Sequence, residues 1–425
     1  MAPLPGADSG YYPEDLELTL LQVVHRHGER TPVRKRLTQL FPAVWNVCDA
    51  NAHMFATILS LDPKATKQFV PLQRLVDEER LGQKPHLHKP GACYYGQLTN
   101  IGRHSMATLG SRLREIYVDR LKFLPDKFDE NSVTIRSTDY QRTQESVQQL
   151  VAGGLYPMEK RDDDFVLKIS TRDPVADNMF PNPNCYRLRQ LAKASKKQVD
   201  EICKDKFESL SKRLEKYVDS VSLDSHPSAN GILDTLVAAK AHGFELPSDI
   251  DEGVMRDLEE VVVLEWFHGA INSHEYRRLG MGRLVGDIRD RMVEKANGAN
   301  DRKLHLYSGH DTTVGPLLIS LGGFDKRWPP FSSAVIFELF KEKSNGDNQS
   351  NSSWTSWLLG SGKQKEQPHY VRVRYNDKIL ELPGCQATGD HHSSGDKSLC
   401  TLEAFKKIVK DQVPENWTEE CRYQG

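Results

Sequence analysis

The chain lacks what a membrane protein needs: nowhere in its 425 residues is there an apolar run of about 18 residues that could cross a bilayer as a helix. Its opening, MAPLPGADSG, has no basic start, apolar centre or small-residue cleavage site of a secretory leader, so the expectation is a soluble, cytoplasmic protein. Charge of one sign is equally scarce. Lys and Arg number 57 against 59 Asp and Glu, a formal net charge of -2, so nucleic acid is not an expected partner and any anion recognition must be local. Cysteine is sparse: seven scattered residues with no CxxC pair exclude a disulfide-built scaffold or a zinc knuckle, and the odd count leaves at least one thiol free. There is no internal repeat.

What is present reads as a globular α/β enzyme. LELTLLQVVH, residues 16 to 25, is β-rich and apolar and runs directly into RHGERTP, which predicts a buried strand ending in a polar loop. Residues 99 to 118 predict an amphipathic helix capped by Thr99. SVTI before Arg136, then RTQESVQQLVAGGLY, then FVLKI at Phe165 to Ile169 give a strand, helix, strand rhythm that argues for a parallel sheet. The charged helical stretches 188 to 220 and 230 to 270 interrupt it. A helix over 273 to 296, a strand in KLHLYSGHD (303 to 311) and two late antiparallel strands, SAVIFELFKE and HYVRVRYND, resume it. The expected organisation is a discontinuous core of residues 15–175 and 273–425 with a helical cap of residues 176–272. Residues 343 to 366, rich in Ser, Asn and Gly, read as a surface loop.

Three strand ends carry unusual polar residues: RHGERTP, RSTDYQRT (136 to 143) and GHDTT (309 to 313). Ligands of parallel α/β sheets bind beyond the carboxyl ends of the strands, where Arg26, Arg30, Arg136, His27, His310 and Asp311 would converge. Guanidiniums stay charged at any working pH and fork onto phosphate oxygens; three of them disfavour a metal and favour a phosphate. A neutral imidazole can attack phosphorus once cations neutralise its oxygens, and a nearby carboxylic acid can protonate the leaving alkoxide. No metal or cofactor is required.

Arg26-His27-Gly28-Glu29-Arg30-Thr31-Pro32 resembles the RHGxRxP signature of the histidine acid phosphatases, His310-Asp311 their HD motif, and Arg136 begins a segment similar to their RSTD stretch. GQLTNIGRHSMATLGSRLREIYV, MFPNPNCYRLRQ and LGGFDKRWPPF look like the lysophosphatidic acid phosphatase type. The resemblance implies a phosphoglycerate-mutase-like α/β sandwich core under a mostly helical cap. It also implies a metal-independent acid phosphatase acting on phosphate monoesters. His27 would be the nucleophile and form a phosphohistidine, Asp311 the proton donor, and Arg26, Arg30, Arg136 and His310 the phosphate-binding set. Cys385 and Cys400 resemble a pair bridged in secreted relatives, a pairing that is left open here.

The remaining motifs have blander readings. His25 shares a strand face with His27, yet a histidine packed beneath the site is the expectation rather than a metal pair. The HLH at 86 to 88 and His391-His392 read as surface histidines. Arg34-Lys35-Arg36 is expected to extend the positive cleft toward a second phosphate or an acidic head group, as a phytase-like enzyme acting on inositol polyphosphates would need.

Overall fold

The computed structural model describes residues 12–48, 91–343 and 367–422, together with the backbone of four short strands at 53–58, 68–73, 77–78 and 86–87. The main sheet has seven strands: β1 (Leu16–Arg26), β2 (Val133–Ser137), β3 (Leu304–Gly309), β4 (Ala334–Glu342), β5 (His369–Tyr375), β6 (Lys378–Leu380) and β7 (Cys400–Thr401). They run in the order β6-β5-β4-β1-β3-β2, with β7 pairing β5. β1, β3 and β2 are parallel, whereas β4 returns antiparallel to β1 and β5 antiparallel to β4.

β1 is apolar on both faces because helices cover both. Leu20 and Val24 pack with Leu284, Val285 and Ile288 of α7 (His274–Ala296) and with Val314 and Leu317 of α8 (Asp311–Leu321). Leu21 and Val23 face the other way, onto Met106 and Leu113 of α1 (Asn100–Arg114) and onto Val147 of α2 (Gln141–Gln148). The helix starts follow the expected chemistry: Thr99 Oγ1 accepts from Gly102 N and Ser273 Oγ from Tyr276 N.

Along the chain between α2 and α7 come α3 (Tyr186–Ile202), α4 (Lys204–Arg213), α5 (Ala229–Ala241) and α6 (Glu252–Asn272). They share their own hydrophobic cluster, which includes Val199, Phe207, Leu233, Leu236, Val254 and Leu258. That cluster also takes in Leu37, Phe41 and Trp45 from the segment after the RHGERTP loop.

Two expectations change. Phe165 to Ile169 is not a strand; among the described residues this stretch meets β2 only through the Arg136–Ser170 bridge just after it, and Val166 stays exposed. Three disulfides form, Cys48–Cys93, Cys185–Cys421 and Cys385–Cys400, leaving Cys203 buried and free. Pairing depends on Cα separation, here 4.7 to 5.4 Å, which scattered sequence positions conceal. The loop expected over 343 to 366, apart from Lys343, and the HLH side chains lie outside the described residues. No helix among the described residues is long and apolar enough to cross a membrane.

Candidate active site

The polar loop after β1 is held close by backbone contact. A Cβ on Gly28 would sit 2.4 Å from the Gly102 carbonyl, so only glycine lets this loop lie against the first turn of α1. Thr99 N donates to Glu29 O at 3.0 Å and Gly28 N to Ser146 Oγ at 3.1 Å. The carboxyl ends of β1 and β3 thereby meet the N-termini of α2 and α8, and both helix ends favour an anion.

His27 is 1% exposed. Its Nδ1 lies 2.8 Å from the Gly28 carbonyl, an acceptor only, so Nδ1 carries the proton and Nε2 keeps its lone pair. Burial, then the charges of Arg26, Arg30 and Arg142, hold the imidazole well below the usual histidine range. His310 stands beside it, with ring centroids 5.6 Å apart. It directs Nε2 to Thr138 Oγ1 at 3.0 Å and Nδ1 to Arg142 Nη2 at 3.5 Å, and burial with Arg142 pushes it down to about 3.

The cations differ in how they are occupied. Arg26 donates from Nη1 to Pro329 O at 2.6 Å and pairs through Nη2 with Asp311 Oδ2 at 2.7 Å, while its guanidinium stacks 4.2 Å over Phe331. Arg30 pairs with Asp234 of α5 at 2.7 Å. Arg142, in the first turn of α2, has no carboxylate partner among the described residues. It rests 4.7 Å over Tyr140, and burial with Arg30 lowers it to about 10. The Nε atoms of Arg26, Arg30 and Arg142 are all buried without a partner. Buried cationic donors left without a partner are costly unless an anion comes to them.

Arg136 also has a buried, unpartnered Nε, but its terminal nitrogens are taken up inside the protein. Its Nη2 is held by Asp177 at 2.7 Å and by Asn178 at 2.5 Å, and Nη1 lies 3.3 Å from Asp287 of α7. Strand alternation explains this: Val133 and Ile135 face the α1 side, so Arg136 faces α7. Arg142, six residues on, is the arginine of this segment that stands beside His310 and His27. A signal for it was present, since a cation in the first turn of the helix after a strand is well placed for an anion.

Burial raises Asp311, but Arg26, Arg30 and His310 outweigh it and hold the carboxyl below its ordinary value. His25 is fully buried and neutral, pushed down to about 4; its Nδ1 is 3.1 Å from Arg26 O, and its Nε2 has no partner. Arg36 turns 3.5 Å toward Asp234, whereas Arg34 and Lys35 are exposed. His391 bonds the Cys385 carbonyl, and His392 is buried rather than on the surface. Among the described residues no group of three or more His, Cys, Asp or Glu is placed to hold a metal.

Beyond the charged floor, the cleft has a volume of about 170 Å³ and walls of Val33, Leu233, Val237, Trp266, Trp328 and Phe331. Sequence reasoning did not single out the two tryptophans, which reach the cleft from α6 and from the loop before β4.

Residues 17–376 match the histidine phosphatase superfamily (branch 2). The chain belongs to that family. A probable acid phosphatase of Schizosaccharomyces pombe is 34% identical over 457 residues, covering 99% of this chain and 96% of the relative. The Homo sapiens lysophosphatidic acid phosphatase type 6 is 29% identical over 384 residues, covering 86% and 82%. Among solved structures, the Citrobacter braakii phytase superposes with a TM-score of 0.58 at 16% identity, covering 96% of this chain and all of that one. The Hafnia alvei phytase bound to myo-inositol hexakis sulphate gives 0.59 at 16%, covering 97% and 100%. The fold of these histidine phosphatases is the fold found here, and the chain is an acid phosphatase, a phosphoric monoester hydrolase.

Proposed function

We propose that the chain hydrolyses phosphate monoesters through a phosphohistidine on His27, with a lysophosphatidic acid as substrate. The observation that carries the chemistry is the gathering of Arg26, Arg30, Arg142 and His310 around a buried His27 whose Nε2 keeps its lone pair. Arg26, Arg30 and Arg142 would take the phosphate oxygens, and His27 Nε2 would attack phosphorus opposite the ester oxygen. Its depressed pKa serves this role, because the nucleophile stays unprotonated in acid where an ordinary histidine would not.

Asp311 would release Arg26 to the incoming phosphate. Its counter-charge is then shared with a dianion, its pKa rises, and it can protonate the leaving oxygen before water hydrolyses the phosphoenzyme. His310 would meet the same phosphate beside Arg142; the Thr138 hydroxyl can donate or accept, so the ring can change tautomer and donate from Nδ1.

The apolar wall supports a lipid leaving group, since Val33, Leu233, Val237, Trp266 and Trp328 offer an acyl chain a dry surface. The relatives named lysophosphatidic acid phosphatase point the same way. Inositol polyphosphates are the second reading, favoured by Arg34 and Lys35 near the rim. Phosphate release from lysophosphatidic acid and from phytate under matched conditions separates the two; a much larger kcat/KM on phytate overturns the lipid reading. The division into core (15–175 and 273–425) and cap (176–272) is proposed on the separate cap cluster, with residues 37–45 added to it. The three disulfides weigh against the cytoplasmic expectation and favour an oxidising compartment.

A further inference from the structure

Asp234 belongs to no motif, yet it is the cap's direct electrostatic tie to the phosphate-binding loop. Its side chain is 9% exposed, accepts two donors from the segment that follows His27 and pairs with a second cation there. Oδ1 takes Arg30 Nη1 at 2.7 Å, while Oδ2 takes Val33 N at 2.9 Å and lies 3.5 Å from Arg36 Nη1. Arg30 Nη1 also donates to the Thr31 carbonyl at 3.0 Å, and the guanidinium carbon lies 5.6 Å from the Phe331 ring centroid. With Nη1 anchored twice, the plane of the guanidinium is fixed and the buried, unpartnered Nε points elsewhere. α5 also brings Asn230, Leu233 and Val237 to the cleft, at the one-face helical spacing that includes Asp234.

We infer that Asp234 is a positioning residue for Arg30, borrowed from the cap, which presents the Arg30 fork to phosphate at the correct angle. The inference rests on Arg30 being a phosphate ligand, as proposed above. Two effects of the carboxylate oppose each other: its charge repels the incoming dianion, and its geometry orients the cation. Orientation should win, because Asp234 is already neutralised by Arg30 and Arg36, whereas a loose Arg30 must be ordered again at each binding event.

The test uses Asp234→Asn, Arg30→Ala and the double variant in the full chain, with inorganic phosphate affinity from calorimetry and kcat and KM on p-nitrophenyl phosphate. In the asparagine variant one of the two oxygens becomes a donor, which must face either Arg30 or the Val33 N–H. Phosphate Kd and KM are expected to rise together by about tenfold, with kcat less affected, and Asp234→Asn should add nothing once Arg30 is absent. Equal losses in both backgrounds, or tighter phosphate binding in Asp234→Asn, overturn the inference. Should Asp234→Asn fail to fold, Asp234→Glu carries the test: a raised phosphate Kd at unchanged melting temperature supports positioning, and an unchanged Kd overturns it. Wild-type turnover in the same assay reports on the phosphatase reading separately.

Discussion

Arg136 and Arg142 lie six residues apart in one motif, RSTDYQRT, and both are largely buried, yet they live in opposite electrostatic worlds. Arg136 has both terminal nitrogens held by Asp177, Asn178 and Asp287, so its charge is spent inside the protein. Arg142 leans on a tyrosine ring and a histidine nitrogen and has no carboxylate among the described residues. A buried cation with its counter-ion is architecture; one without it is a request for an anion.

The comparison can be broken in several ways. The largest effect is expected at the proposed nucleophile: His27→Ala should lower kcat by a factor on the order of 10⁴ or more and abolish trapping of a phosphoenzyme after acid quench. Next comes the pair itself. Arg142→Ala should cost roughly 10²- to 10³-fold in kcat/KM, whereas Arg136→Ala should cost only a few-fold. Arg136→Ala should instead destabilise the fold by about 3 kcal/mol, since Asp177 would be left buried and unpaired; denaturant unfolding measures this. Equal kinetic losses at the two arginines would sink the distinction.

Asp311→Asn should slow release of alkyl leaving groups by roughly 10²-fold or more while sparing activated aryl phosphates, as side-by-side kcat values would show. Its sign with pH follows from the acid role. In the wild type kcat should fall as pH rises through the pKa of Asp311 in the complex, and in the variant that limb should vanish. The smallest effect concerns His25. It is neutral in the fold, with a pKa near 4, but near ~6.5 when unfolded, so the unfolded chain binds more protons between those values and stability falls as pH drops through that window. Melting temperatures of His25→Gln between pH 6.5 and 4, as a range to be scanned, should depend less steeply on pH than those of the wild type.

Local pattern carried much of this molecule. The strand read at 303 to 311 is β3, the late pair is β4 and β5, and Thr99 and Ser273 cap the helices expected to follow them. His27, His310 and Asp311 lie together because each sits at the end of a strand whose neighbours were readable. What failed was information held by distance in space rather than along the chain. Which face Arg136 takes depends on where α7 packs, and which cysteines meet depends on the closed fold. Trp266 and Asp234 arrive from α6 and α5, which carry no motif, and Trp328 from the loop before β4, so only the assembled cleft brings them together.

The sheet order has a consequence for how the chain comes into being. β1, the centre of the sheet, pairs with β3 and β4, which begin at Leu304 and Ala334. During synthesis a strand that is sticky on both faces and has two bare edges is made first and must wait for some three hundred residues before either neighbour exists. The interval exposes LELTLLQVVH to wrong partners, so the nascent chain should be a strong client for holding chaperones, and the yield of active enzyme should depend on them more than the finished fold does.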